Sequence, residues 1–381
     1  MKWLPSYLQR SKSCLLDVRI DTYDDEKRLA SADLATYTPI IQLIADHFER
    51  VQYFFWFARK SSPTETLYSQ YFKEIAAPAL ERFRTIASER PLRSYLDLSP
   101  SIFAGGAPRL SLVDLVLMAS FPPLQNVTTM MLEHRSPTLH EQLRTKLAEI
   151  ASSAPNLMHF SIGPLNGVVG PPQENPVPCI FKSLQSLKLT CSSTSIAELL
   201  GDLEAPQLES LWFNCSGYLK LHPLLSQGKL SGKFPSLRYL TLQVYDFPNL
   251  NMFARAFPSV THLHLPYPRN GSRGLTSIIS DPSEPIPWPN LHTLAIQTIH
   301  DAYSGNSALL DNYIIQCHDF ISYRRRMNNE IKTLLFDRDL FKIAASDALL
   351  NEVATLATIS RDSYKEYWWN LFEGNTLHMI Q

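Results

Sequence analysis

The chain has 381 residues, 45% hydrophobic and 19% charged, with Lys and Arg totalling 35 against 36 Asp and Glu. A formal net charge of -1 gives no electrostatic reason to expect nucleic acid or an anionic membrane as partner. No apolar run approaches the roughly 18 residues of a membrane span, and 27 prolines punctuate the chain too often for long unbroken helices.

The first residues, MKWLPSYLQRSKS, lack the apolar core of a signal peptide. SCLLDVRID then alternates Leu16, Val18 and Ile20, which predicts a first strand. YTPIIQLIADHF reads as a helix with Thr38 as N-cap, Pro39 at the first helical position, and Ile40, Ile44 and Phe48 on one face. RVQYFFWFA is a second strand, and SPTETLYSQYFKEIA a second helix opened by Ser62 and Glu65 in capping-box spacing. The sheet is therefore expected to start near residue 15, with no linker setting off a separate domain.

From there one phrase recurs, with the skeleton Pro-x-apolar-x-x-apolar-x-apolar. Phe234-Pro-Ser-Leu-Arg-Tyr-Leu-Thr-Leu242 and Phe257-Pro-Ser-Val-Thr-His-Leu-His-Leu265 are its clearest pair. APALERFRTI, APRLSLVDL, LQNVTTMML, APNLMHFSI, FKSLQSLKL, APQLESLWF, WPNLHTLAI and EIKTLLF are variants. The first apolar positions 157, 184, 208, 237, 260 and 291 step by 27, 24, 29, 23 and 31. Self-similarity at such a period marks a solenoid. The last two apolar residues, two apart, point to one side of a short strand. The proline is expected to stop the preceding helix and hold the chain extended into the strand.

Helix-period segments fall between the strands. TLHEQLRTKLAEIA carries Leu139, Leu143, Leu147 and Ile150 on one face, SIAELLGDL opens with Ser195 and Glu198, and NLNMFARAF aligns Leu250, Phe253 and Phe257. GPLNGVVGPPQENPVP, residues 163–178, is expected to be a convex loop. Toward the end, SALLDNYIIQCHDFISYRRRM and SDALLNEVATLATI are helices, and the aromatic-dense YKEYWWNLF is expected to cover the last sheet edge.

The five cysteines, Cys14, Cys179, Cys191, Cys215 and Cys317, are too far apart for a zinc ribbon or a redox pair. Their odd number reads as reduced thiols in the cytoplasm or nucleus. Sequons at Asn126, Asn214 and Asn270 read as chance matches.

Motifs for chemistry are missing. No G-x-S-x-G, H-E-x-x-H or Walker-type loop occurs, and FAGGAP at 103–108 reads as a turn. His134 and His140 read as surface residues around a helix start, and YRRRM at 323–327 as a solvated face. His262 and His264 share one strand face without a third ligand, so no metal and no cofactor is expected. An enzyme using the His262/His264 region is the competing reading.

What the pattern offers instead is a surface. Lys188, Trp212, Tyr239, Thr241, His262 and His264 flank the apolar positions and are expected on the open face of the sheet as a protein-binding patch. The opposing reading is that a neighbouring loop covers Trp212.

YLQRSKSCLLDVRID, HFERVQYFFWFA, APALERF, GAPRLSLVDLVL, PPLQNVTTMMLE and APNLMHFSI together resemble the fungal F-box proteins, especially those of mushroom-forming fungi. The resemblance spans residues 3 to about 340. The repeat alone is generic, and the RSKSCLLD arm before it is more telling. In that family an F-box opening L-P-x-E-I-L precedes the arm and binds the adaptor of a cullin-RING ubiquitin ligase, and a leucine-rich solenoid selects substrates. In this sequence Met1 stands where the F-box would end, so adaptor binding is expected only with an F-box upstream.

The expected fold is α/β: one irregular leucine-rich-repeat-like solenoid domain over 1–381, with a parallel sheet on the concave side and helices and loops on the convex side. Residues 1–105 are its less regular N-terminal repeats, 106–300 the leucine-rich-like repeats and 301–381 a helical cap. The expected function is non-catalytic protein recognition, as the substrate-binding part of an F-box-type ligase subunit. An orphan repeat scaffold with no ligase link is the alternative.

Overall fold

The computed structural model describes residues 3–21, 34–58, 70–87, 102–116, 121–133, 138–165, 179–191, 200–215, 230–244, 250–266, 275, 286–297, 307–336 and 347–360. These fall into two compact units, Met1–Leu184 and Gln185–Gln381.

In the first unit, β1 (Leu16–Asp21), β2 (Val51–Ala58), β3 (Arg82–Ala87), β4 (Leu112–Val116), β5 (Thr129–Glu133) and β6 (His159–Leu165) pair in chain order, every neighbour parallel. A two-residue strand, β7 (Cys179–Ile180), lies beyond them in sequence. In the second unit, β8 (Ser186–Cys191) and, after the two-residue β9 (Leu203–Glu204), β10 (Ser210–Cys215) begin a run of parallel strands. Strands β11 (Tyr239–Val244), β12 (His262–Pro266), β13 (Thr293–Gln297), β14 (Thr333–Phe336) and β15 (Thr358–Ser360) continue it in chain order. The protein is thus mixed α/β with extensive parallel sheet. The expected neighbours, from the 184 segment through the 291 segment, do lie side by side and parallel.

The repeated phrase has a physical meaning different from the expected one. The proline does not hold the chain extended; it sits inside a β-turn. Leu80 donates to the Ala77 carbonyl at 3.2 Å, Leu110 to Ala107 at 3.1 Å, Leu157 to Ala154 at 3.1 Å, Leu208 to Ala205 at 3.1 Å and Leu237 to Phe234 at 3.1 Å. Each is the first-to-fourth bond of a turn with proline second, where its fixed φ costs nothing. The polar residue before the leucine ties one repeat to the last. Asn156 donates to the Gln125 carbonyl at 2.9 Å, Ser183 to Pro155 at 3.1 Å, and in the second unit Ser236 to Pro206 at 3.0 Å. This explains why Ser and Asn recur there. The apolar residue that closes each turn is fully buried: Leu80, Leu110, Leu184, Leu208, Leu237 and Val260 are all 0% exposed. Truncating one to Ala would cost about 2–5 kcal/mol.

Aromatic rings fill the core of the first unit. Phe48 stacks on Phe103 at 4.9 Å and meets the edge of Phe54 at 5.1 Å, and Phe54 stacks on Phe83 at 6.0 Å. FAGGAP is a turn, as expected. Its backbone docks on the preceding segment, with Phe103 and Ala104 donating to the carbonyls of Phe72 and Lys73, each at 2.7 Å.

Helices span Leu4–Arg10, Leu34–Ala45, Thr138–Ser153, Leu250–Ala256, Ser307–Arg326 and Asp347–Leu356. Two boundaries differ from expectation. Pro39 lies inside its helix, which starts at Leu34, so Thr38 is not its cap; one turn precedes the proline, and a single backbone bond is forfeited there. The helix at Asp347 ends at Leu356, and Thr358–Ser360 joins the sheet beside β14, where β-branched residues fit better than in a helix. Ser62, Glu65, Ser195, Glu198, most of the 163–178 loop and YKEYWWNLF lie outside the described residues.

Buried arginines fasten two of these elements. Arg50, 7% exposed, donates to the Leu8 carbonyl at 2.7 Å, to Ser11 Oγ at 2.9 Å and to the Lys12 carbonyl, which pins the first helix. Arg324 does the same in the second unit.

Candidate functional site

Alternation along a strand gives each sheet a core face and an opposite face. In the second unit the opposite face carries the six residues singled out from the sequence. The register aligns Lys188, Trp212, Thr241 and His264 in one row and Tyr239 and His262 in the row before it. Only half of them stand open. Lys188, Tyr239 and His262 are half-buried, whereas Trp212 is 6%, Thr241 1% and His264 0% exposed. The expectation that Trp212, Thr241 and His264 face solvent is therefore corrected. The Lys188 ammonium sits 3.8 Å from the Trp212 ring centroid and covers it, and small Thr241 lies between two larger neighbours. The indole N–H of Trp212 and the hydroxyl of Thr241 are buried without hydrogen-bond partners.

The accessible part of this face is a ring cluster. Tyr239 and His262 lie 4.5 Å apart, and His262 meets His292 edge-on at 4.7 Å. The Thr261 hydroxyl holds His262 Nδ1 at 2.8 Å, and the Thr293 hydroxyl holds His292 Nδ1 at 3.0 Å. Burial lowers the pKa of His262 to about 4, with the nearby His292 pushing the same way. Burial and then Lys332 lower that of His292. His262 is neutral at pH 7 and presents an aromatic, uncharged surface. His262 and His264 do not converge on a common ligand position with a third group: among the described residues no cluster of three or more His, Cys, Asp or Glu is placed to hold a metal.

The first unit holds a face that the sequence reading passed over. Outward residues of β2 are Tyr53, Phe55 and Phe57, all half-buried, while Phe54 and Trp56 point into the core. Three arginines surround them. Arg82 lies 5.1 Å from the Tyr53 ring, and Arg19 and Arg84 lie 5.3 and 5.4 Å from that of Phe55. Arg84 Nε stands 2.9 Å from Asp114 Oδ2, an ion pair without a well-aligned hydrogen bond. Burial raises the Asp114 pKa to about 6; Arg84 opposes that shift and Glu133 adds to it. The next row, Phe57, Ile86 and Val116, is apolar and half-buried. The signal was legible: in RVQYFFWFA the five residues Tyr53 to Phe57 are all aromatic, so one aromatic set had to point away from the core.

A cleft in the same unit, between the end of the Thr138–Ser153 helix and residues 179–182, is lined by small and apolar side chains such as Ala148, Ala151 and Phe181, with Ser152 and Lys182 as polar members. Cys14, Cys179 and Cys317 are not in disulfides, and burial raises the pKa of Cys317. Among the described residues no helix is long and apolar enough to cross a membrane.

No protein-family model and no curated protein matches the chain. Among solved structures it is similar to a crystal structure of a Bacteroides fragilis protein determined as a structural genomics target. That match has 12% identity over 88% of this chain and 82% of the other, with a TM-score of 0.40. A likeness of that depth carries no argument about function.

Proposed function

We propose that this chain is a non-catalytic protein-recognition module, an irregular leucine-rich-repeat-like solenoid whose concave sheet face selects partners. In this reading it is the substrate-binding part of an F-box-type subunit of a cullin-RING ubiquitin ligase, working in the cytoplasm or nucleus and binding its adaptor through an F-box upstream. The observation that supports it most is the half-exposed row Tyr53, Phe55 and Phe57, backed by rigid parallel strands and flanked by arginines. Aromatic and Arg side chains on a preorganised surface are the usual anchors of protein interfaces. The Tyr239–His262–His292 cluster supplies similar chemistry in the second unit.

The test is quantitative affinity purification from the native host, comparing wild type with Tyr53→Ala/Phe55→Ala. Loss of specific partners from the variant, with the ligase adaptor retained in both samples, is the expected result. Loss of partners with no adaptor in either sample identifies a scaffold without the ligase link. An identical partner set in both samples removes the recognition role of this face.

A further inference from the structure

Two hydrogen-bond donors stand side by side without acceptors in the outward row of the second unit. Trp212 is 6% and Thr241 1% exposed, and neither the indole N–H nor the hydroxyl has a partner among the described residues. The register sets the two residues opposite each other on β10 and β11, strands about 4.8 Å apart. On the other flank of Trp212 it places Lys188, whose ammonium lies 3.8 Å from the ring centroid. Buried polar groups are nearly always paired, so two adjacent orphans point to a missing acceptor. The strands themselves supply no anionic one. β8 and β10 to β15 contain no Asp or Glu, and Lys188 is their one basic residue besides histidine. Glu209, the carboxylate nearest to Trp212 in the chain, is exposed just before β10.

From this arrangement we infer that the row is a carboxylate-binding site. One carboxylate accepts from the Trp212 indole N–H and the Thr241 hydroxyl, and the Lys188 ammonium supplies the balancing charge. Two neutral donors and one ammonium match a single negative charge better than the nearly double charge of a phosphate monoester. A water molecule could accept from the same two donors, but it gains less than an anion does from the full charge of Lys188. Access runs through Lys188. It is half-buried on a flexible four-carbon stem, so its ammonium can leave the ring face and exchange a cation–π contact for an ion pair with the incoming group.

This site goes beyond the recognition reading and does not depend on it. The experiment is an NMR titration of the full chain that follows the Trp212 indole N–H resonance, assigned by its loss in Trp212→Phe. The probes are acetate, acetamide and sodium chloride at matched ionic strength. The expected result is a saturable shift with acetate at about millimolar concentration, and none with acetamide or chloride. Lys188→Met should weaken acetate about tenfold, and Thr241→Val should weaken it by a smaller factor. Neither variant should lower the melting temperature, since the Thr241 hydroxyl makes no bond in the free protein and Lys188→Met keeps the apolar stem. N-acetylglycine carries its carboxylate as a chain terminus does, and N-acetylisoglutamine carries it as a Glu side chain does. Tighter binding of either supports the site and names the source of the group. No shift with acetate, the same shift with acetamide or chloride, or unchanged acetate affinity in Lys188→Met overturns the assignment. The Tyr53/Phe55 experiment probes the first unit and is unaffected by any of these outcomes.

Discussion

Arg324 Nη2 donates to the main-chain carbonyl of Trp288 at 3.1 Å, and both residues are 0% exposed. The same guanidinium reaches the carbonyls of Leu291 at 3.0 Å, Pro287 at 2.6 Å and Asn329 at 3.0 Å. A residue on the Ser307–Arg326 helix thereby holds the turn that leads into β13, where Trp288 adopts a φ of 47°. Burial lowers the Arg324 pKa to about 10, which leaves it charged at neutral pH.

That clamp yields the first prediction. Arg324→Leu leaves three buried carbonyls and one half-buried one without this donor and should destabilise the protein by about 3 kcal/mol or more. Arg324→Lys should recover only part of the loss, because an ammonium cannot span the same fork. Urea unfolding midpoints measure both; a leucine variant within about 0.5 kcal/mol of wild type would show the clamp to be dispensable.

A second prediction concerns the double glycine of FAGGAP. A Cβ on Gly105 would sit 2.7 Å from the Ala76 nitrogen and 2.9 Å from the Glu74 carbonyl oxygen, both backbone atoms that cannot swing aside. Gly105→Ala should cost about 1–3 kcal/mol through that overlap. Gly106 has open space around it but a φ of +104°, so Gly106→Ala should cost about 1 kcal/mol through backbone strain alone. Thermal melts of the two variants test the order; a milder effect at Gly105 contradicts the close approach.

The third prediction is a pH dependence. The folded-state pKa of Asp114 is raised from 3.8 to about 6, so between those values the folded protein binds more protons than the unfolded chain. Stability contributed through Asp114 is therefore greatest at the acid end of that window and falls as pH rises through it. His262 works the other way: its folded pKa is lowered from 6.5 to about 4, so stability falls as pH drops through that range. Against Asp114→Asn, the wild type should gain relative stability on going from pH 6 to pH 4. Denaturant midpoints of both proteins at several pH values read this directly, and a difference independent of pH would mean that Arg84 fully offsets burial and leaves the carboxyl at its ordinary pKa.

Much of the fold was legible because the repeat states it in local terms. A proline in a turn, one apolar residue closing that turn and two more on alternate strand positions are short-range requirements, and short-range requirements leave their residues at fixed offsets. The strand RVQYFFWFA was equally legible, since an apolar segment flanked by polar ones has few other outcomes. Helix ends were less so. Leu34 could extend the helix past Pro39 because one lost backbone bond is a small cost beside the burial of Ile41 and Ile44.

The outward faces divide along the same line. Alternation determined which residues share a face, and Trp212, Thr241 and His264 do fall in one row with Lys188. Whether an outward residue meets water depends on neighbours distant in sequence, such as Lys188 lying across Trp212. Sequence by itself thus determined the repeat and the chain order of its strands, while the turn around each proline was seen only in the structure. The aromatic run Tyr53 to Phe57 required that one set point away from the core, but the tertiary structure alone decided that Tyr53, Phe55 and Phe57 are that set and stay half-exposed while Trp212 is covered, because exposure is set by what packs alongside.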